Sequence, residues 1–368
     1  MPPAQRVNYL TTLHIDLGPQ WRGGQHQALL LMQGLRARGH AAELMALGGA
    51  PLGARAAAEG FTVHEVAPRL ARPHATLRLR RLLSQNRYDI VHTHEAHGLT
   101  AAWLAGVHRR AALLAARRVT FPLNSPGRYR AARRVVAVSQ FVADTVVASG
   151  LSRENVSVVY DGVDVPPLPS TEERREARRS WRVDGDAPLL GCVGYLLPGK
   201  GQEHLIRALP AIRAQFPKVG LLLAGEGPRE AELESLARSL QVEAAVHFWG
   251  FVEEIGRLYR ALDIFIFPSV GEGLGSSLLA AMAHGLPVVA VAGGAVSEVI
   301  ENKRTGLLVP APDPECLAAA VVELLREPSR AAALGAAARQ NILERFTADQ
   351  MVENTLRLYH EAVAGAAA

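Results

Sequence analysis

The chain has little of what many scaffolds and enzyme classes depend on. Its 368 residues include only two cysteines, Cys192 inside an apolar run and Cys316 at a helix start. Neither a disulfide framework nor a cysteine-based zinc site is therefore expected. The opening residues, MPPAQRVNYL, lack the apolar core of a secretory signal. Aromatics make up 5% of the chain, and lysine occurs only at Lys200, Lys218 and Lys303, so the basic side is almost wholly arginine. Residues 276–296 hold no Asp, Glu, Lys or Arg. Gly285 and Pro287 nevertheless interrupt that stretch, and its period changes from helix to strand, which argues against a membrane span. These absences lead to the expectation of a soluble protein of a reducing compartment, cytoplasmic.

What is present points to two domains. The length exceeds one ordinary core, half of the residues are apolar, and the net charge is +5 with pI near 9.5. Strand-like runs at Val7–Leu13, Ala42–Ala46, Val63–Val66, Ile90–His92, Leu113–Ala116, Val135–Val138 and Val156–Tyr160 alternate with helical stretches. A Pro-rich break follows at Val165–Ser170, then a charged helix from Glu172 to Trp181. A second alternating series has strands at Leu189–Val193, Leu221–Ala224, Val246–Trp249, Ile264–Phe267, Val288–Val291 and Leu307–Val309, and a last helix runs from Ala348 to Val363. The alternation predicts an α/β protein with two parallel sheets facing a cleft. The expected domains are residues 1–165, 166–346 and a closing helix in 347–368.

The segment from Phe265 to Ile300 organises this reading. Two successive strands each deliver a glycine loop, Gly271–Gly275 and Gly293–Gly294, and a helix start to one sheet edge. Free N–H groups and the positive end of a helix dipole suit a phosphate. Glu272, in the first loop, can accept hydrogen bonds from hydroxyls. A phosphate beside a polyol suggests a nucleotide sugar. The loop is no Walker loop, because no Gly-Lys-Ser/Thr closes it, and it lacks the spacing of a dinucleotide fingerprint. The bland alternative is the ordinary glycine loop of a doubly wound protein. Lys200, in Gly194–Gly201 at the end of another strand, is placed to stabilise a departing diphosphate without a metal. Gly225-Glu226-Gly227-Pro228 reads as a tight turn.

Other clusters have a plain structural meaning beside the chemical one. His92, His94 and His97 are spaced like ligands of a binuclear metallohydrolase, but Ala96 stands where that signature has Asp; cleft-lining histidines are the simpler reading. Asp184-Gly185-Asp186 reads as a turn rather than a metal-binding Asp-x-Asp. Arginines gather in the first half, from Arg69 to Arg81, at Arg109, Arg110, Arg117 and Arg118, and from Arg128 to Arg134. With few aromatics and no nucleic-acid motif, nucleic acid is not expected; an anionic membrane surface or acidic acceptor suits them, beside the plain reading of solvated faces.

In order along the chain, these blocks resemble the family 4 glycosyltransferases. They are Gly23-Gly24 with Arg38-Gly39-His40, Val136–Gln140, Tyr160–Asp164 (with Asp161 for the usual Asn), Val193-Gly194 to Lys200-Gly201, Ala224–Pro228 and Pro268-Ser269 to Glu272-Gly273. The resemblance implies the GT-B fold, with two Rossmann-like domains and a C-terminal helix crossing back to the first. It also implies retaining transfer of a hexose-type sugar from a nucleotide-diphosphate sugar to a cell-envelope glycan or lipid acceptor, with no cofactor or metal. By position, Glu272 and Lys200 would be catalytic. Lys200, Gly23, Gly24 and the amides of Gly275, Ser276 and Ser277 would hold the diphosphate, and Glu272 and Gly273 the sugar. His94, His97, Arg117 and Arg118 are candidates on the acceptor side. The sequence departs from the pattern at Tyr195, where the family has a phosphate-binding Arg, and at Ala280, where it has a second Glu. Within Arg117-Arg118-Val119 a common histidine is replaced. These departures support an alternative, a non-catalytic homologue that serves as a partner or scaffold.

Overall fold

Short β-branched and aliphatic runs build two all-parallel sheets, as expected of strands buried on both faces. A computed structural model describes residues 9–181, 185, 187–310 and 313–365. Asp184 and Asp186 lie outside them, as does the start of the expected first strand at Val7. In the first unit the strands are β1 (Thr11–Asp16), β2 (Ala41–Leu47), β3 (Thr62–Val66), β4 (Ile90–Thr93), β5 (Ala112–Arg117), β6 (Arg134–Ala137) and β7 (Val156–Val158). Their order in the sheet is β3-β2-β1-β4-β5-β6-β7. The second sheet is built from β8 (Leu189–Val193), β9 (Gly220–Ala224), β10 (Val246–Gly250), β11 (Ile264–Phe267), β12 (Val288–Val291) and β13 (Leu307–Val309), in the order β10-β9-β8-β11-β12-β13.

The chain divides into two compact units, Met1–Gly162 together with Ala348–Ala368, and Val163–Thr347. The first unit includes the last helix, Ala348–Ala364, because that helix is amphipathic and its apolar face completes this core. Met351, Val352, Tyr359 and Ala362 pack with Leu30, Leu31 and Leu35 of helix Gly23–Ala37 and with Ile90 and Leu114 of the sheet. Gly34 permits the close approach of the two helices, since a β-carbon there would lie 2.3 Å from Val352 Cγ2.

Both orders reverse once. In a doubly wound sheet the crevice beyond the carboxyl ends of the strands opens at that reversal, and ligands bind there. The reversal lies between β1 and β4 in the first unit and between β8 and β11 in the second. The loops after these four strands are therefore where a site is expected. They begin at Leu17, His94, Gly194 and Pro268.

Candidate functional site

In the second unit the loops after β8 and β11 are fastened to each other. Gly201 adopts φ +76°, and a β-carbon there would meet the Pro268 carbonyl oxygen at 2.1 Å, so only glycine fits. The amide of Val270 donates to the Gly199 carbonyl at 3.0 Å. This clamp brings Lys200 to Glu272, with Nζ 2.5 Å from Oε1. The Ser269 hydroxyl donates to the same oxygen at 2.5 Å. The backbone of Glu272 is held in turn, its carbonyl accepting from the Ala295 amide at 3.1 Å. Lys200 and Glu272 are both partly exposed, whereas Ser269 is buried. The loop thus presents one cation and one carboxylate.

Helix Ser276–Ala283 starts beside them. Its N-cap, Gly275, has no side-chain capping bond, so the helix's first amides are left for an incoming acceptor. Gly275, Ser276 and Ser277 are half-buried there, and Gly273 is buried. Ala280 sits one turn into the helix, half-buried, its carbonyl accepting from His284. Beneath the loop, burial pushes the Cys192 thiol up to about 12, which keeps it protonated and unreactive.

The loops after β1 and β4 hold the corresponding edge of the first unit. Glu95 caps helix Ala96–Ala105 by accepting from the His97 and Gly98 amides, and it accepts from the Leu17 amide at 3.2 Å. Asp16 accepts from Gln25 Nε2 at 3.1 Å and from the Gly18 amide at 2.8 Å. Burial raises the pKa of both carboxyls above the usual carboxylate value; hydrogen bonds oppose the rise. Gly23 and Gly24 open the helix after β1, and a β-carbon on Gly24 would lie 3.7 Å from Arg118 Cδ. Arg118 donates from Nε to Asp161 at 3.0 Å and approaches His94 Nδ1 with Nη1 at 3.5 Å.

Behind Arg118 runs a buried chain of polar groups. His14 and His92 are opposed across β1 and β4, and His94 follows on the same face. Arg118 can only donate, so His94 Nδ1 accepts and Nε2 carries the proton. That proton goes to His14 Nδ1 at 3.0 Å, His14 Nε2 faces Thr12 Oγ1 at 3.1 Å, and Thr12 donates to the Ala41 carbonyl at 2.9 Å. Every step is satisfied by neutral imidazoles. Burial lowers the His14 pKa to about 3, and it holds His92 and His94 well below the usual histidine value. Nδ1 of His92 meets the Tyr359 hydroxyl at 2.8 Å. Among the described residues its Nε2 has no partner, and His92 lines a cavity of about 20 Å³ together with Arg118, Asp161 and Thr355. That space suffices for one water with polar neighbours on several sides.

His14, His92 and His94 offer ring nitrogens within 4.8 Å of one another. A cation there would lose the His94-to-His14 hydrogen bond and face the Arg118 guanidinium, so the donor set fits a hydrogen-bonded chain better than a metal. His97 does not join them, lying exposed in the first turn of its helix. Arg117 and Arg118 separate as neighbours in an extended chain do. Arg117 is buried, donates to the Phe121 carbonyl and lies over the Phe121 ring, which braces the following loop. The sequence reading did not single out His14, Asp16 or Glu95. His14 lay one residue past the expected end of the first strand, and Glu95 was legible as a capping residue directly before a helix.

Two family models match the chain, one described as Glycosyltransferase Family 4 over residues 21–166 and one as Glycosyl transferases group 1 over residues 173–341. A GDP-mannose-dependent alpha-(1-6)-phosphatidylinositol monomannoside mannosyltransferase of Mycobacterium tuberculosis is 30% identical over 318 residues, 81% of this chain and 82% of its own. The Mycolicibacterium smegmatis protein of the same description is 36% identical over 194 residues, and the match spans about half of each chain, 50% here and 51% there. Among solved structures, Anabaena HepE in complex with UDP and glucose has a TM-score of 0.85 at 22% identity, covering 95% of this chain and 99% of that one.

Proposed function

Since the chain belongs to the family 4 glycosyltransferases and has their GT-B fold, we propose that it moves a hexose-type sugar from a nucleotide-diphosphate sugar to a cell-envelope glycan or lipid acceptor. In this reading it retains the anomeric configuration, needs no metal, and works in the cytoplasm at the inner face of the membrane. The observation that carries the proposal is the convergence of Lys200 and Glu272 at a sheet reversal, beside an uncapped helix start. Lys200 and the amides of Gly275, Ser276 and Ser277 hold the diphosphate; Gly23 and Gly24 are assigned to it by their place in the family pattern; Glu272 and Gly273 take the sugar hydroxyls. His94, His97, Arg117 and Arg118 are assigned to the acceptor side. The C1–O bond to the leaving phosphate breaks as the acceptor oxygen bonds C1 on the same face. The acceptor proton passes to the leaving phosphate. The protein's share is orientation and charge stabilisation.

The relatives' dependence on GDP-mannose makes GDP the first nucleotide to try. Thermal shift with GDP, UDP, ADP, CMP and TDP, each with and without chelator, tests the reading. A nucleotide at about a hundred times its Kd adds near 2.7 kcal/mol, a shift of a few degrees. One nucleotide shifting the melt regardless of chelator is the expected result. Tyr195 and Ala280 favour a second reading, a partner or scaffold without donor binding; silence with every nucleotide at millimolar concentration would establish it over the first.

A further inference from the structure

The turn that carries Gly23 and Gly24 has little of its own to hold it. Helix Gly23–Ala37 opens on two glycines, which lose more backbone freedom on folding than any other residue. The N-cap is Arg22, whose guanidinium has no acceptor to offer the first helical amides, and it makes no side-chain capping bond. Such an opening frays unless something beyond it supplies an anchor. Gln25 supplies one. Its Oε1 accepts from the Arg22 amide at 3.2 Å, which closes the first turn from within. Its Nε2 lies 3.1 Å from each carboxylate oxygen of Asp16, the last residue of β1. Asp16 Oδ1 also accepts from the Gly18 amide at 2.8 Å. A β-carbon on Gly18 would lie 2.7 Å from Gln25 Nε2 and 2.9 Å from Asp16 Oδ1, so a larger residue would part the pair.

The Arg22 amide can only donate and the Asp16 carboxylate can only accept, so a single orientation of the Gln25 amide satisfies both. Asp16 is 2% exposed and reaches no ligand itself. Its strand is fixed in the sheet between β2 and β4, and one side-chain amide passes that fixity to the glycine turn. We propose that Asp16 and Gln25 are positioning residues that hold Gly23-Gly24 in shape to receive the phosphates of a nucleotide, Asp16 acting wholly through Gln25. The inference rests on the transferase reading, which assigns these glycines to the diphosphate. A turn held in advance need not be ordered when the ligand arrives, so the anchor is read as affinity.

The polarity of the pair can be exchanged, and the exchange is the test. Asp16→Asn sets an amide donor against the Gln25 donor, and Gln25→Glu sets two carboxylates against each other. In Asp16→Asn/Gln25→Glu the new amide donates to the new carboxylate, which still accepts from the Arg22 amide, and the Gly18 amide keeps an oxygen acceptor. Gln25→Ala removes the tie without a polar clash and serves where a single exchange impairs folding. All four variants are made in the full chain, and melting points are compared first. Hydrogen exchange of residues 17–26 reads the turn through the bonded amides of Gly18, Arg22 and His26. Calorimetry reads the affinity of whichever of GDP, UDP, ADP, CMP and TDP shifts the parent's melt, with the matching nucleoside, which has no phosphate, as control. Each single change is expected to speed exchange and to weaken the nucleotide about tenfold, with nucleoside binding unmoved. The double exchange is expected to return both to within about threefold of the parent. Single variants that bind the nucleotide like the parent would overturn the proposal, as would a double variant no better than the singles. Equal losses for nucleotide and nucleoside would also overturn it, since they mean a general disturbance of the fold. Any of these results with a parent that binds nucleotide condemns the pair and leaves the transferase reading standing. A parent silent with all five nucleotides condemns the transferase reading, and the phosphate role of the pair with it.

Discussion

Lys200 and Glu272 belong to loops 72 residues apart in the chain, and they meet at 2.5 Å because β8 and β11 are neighbours at the sheet reversal. On the proposed function, a diphosphate entering beside the helix start would compete with Glu272 for Lys200, and a sugar hydroxyl would compete with Ser269 for Glu272. The proposed donor would therefore replace a pre-formed, charge-neutral arrangement, which keeps both groups oriented beforehand.

Lys200→Ala is predicted to lower kcat/KM and to weaken nucleotide binding, because it removes the cation from the diphosphate. Glu272→Ala is predicted to lower kcat/KM with a smaller effect on free nucleotide, which has no sugar for Glu272 to contact. A hydrogen bond to a charged group contributes about 1.5–3 kcal/mol, roughly ten- to a hundredfold. Steady-state kinetics and thermal shift with nucleotide check both; activity within a few-fold of the parent in either variant would remove that residue from the site.

Much of this site was readable before any coordinates, and the reason is local. The apolar bursts Leu189–Val193 and Ile264–Phe267 name buried strands by themselves, and glycines mark the loops that follow. The meeting of Lys200 with Glu272 follows once the strand order is known. The His14 chain was not readable, because a histidine among apolar residues carries no sign of its partner 80 positions away. Nor was the fate of Arg117 and Arg118, identical neighbours that the pleat sends to different surroundings. The sequence ended the first strand three residues early, at Leu13 rather than Asp16, because the apolar pattern of Leu13 and Ile15 continues through the polar Thr12, His14 and Asp16. These polar residues are themselves buried.

Ala280 occupies the position of the family pattern's second Glu. It lies on the first turns of the helix whose amides face the site, and it is not fully buried. Ala280→Glu should therefore be accommodated and should supply an acceptor for ribose hydroxyls. Nucleotide binding is predicted to tighten by about tenfold, measured by calorimetry. Unchanged or weaker binding would show that the ribose is held elsewhere.

Asp161 stands where the pattern has Asn, and its carboxylate pairs with Arg118. Asp161→Asn keeps the shape and removes the charge, leaving a partly buried guanidinium without its counter-ion. A loss of about 1–3 kcal/mol is expected in urea unfolding. Arg118→Met combined with Asp161→Asn is predicted to cost less than the sum of the single changes, since each single change strands the other charge. Additive losses would mean that the pair is not energetically coupled.

Acid should act through His14. Burial lowers its pKa from 6.5 in the exposed chain to about 3 in the fold. Between these values the unfolded state binds a proton that the folded state does not. Stability therefore rises with pH across this window and is lost as pH falls below 6.5, by up to about 1.4 kcal/mol per pH unit from this residue. Asp16, Glu95 and Asp161 oppose the trend, because burial raises their pKa values and acid relieves their charge. Comparison of the parent with His14→Gln cancels that opposition, since the carboxyls are common to both. Urea midpoints between pH 7 and pH 5 are predicted to fall more steeply for the parent, even if His14→Gln is the less stable protein at pH 7. Parallel slopes would mean that His14 accepts its proton within the fold, and that the Arg118-to-Thr12 chain of neutral imidazoles is not its resting state.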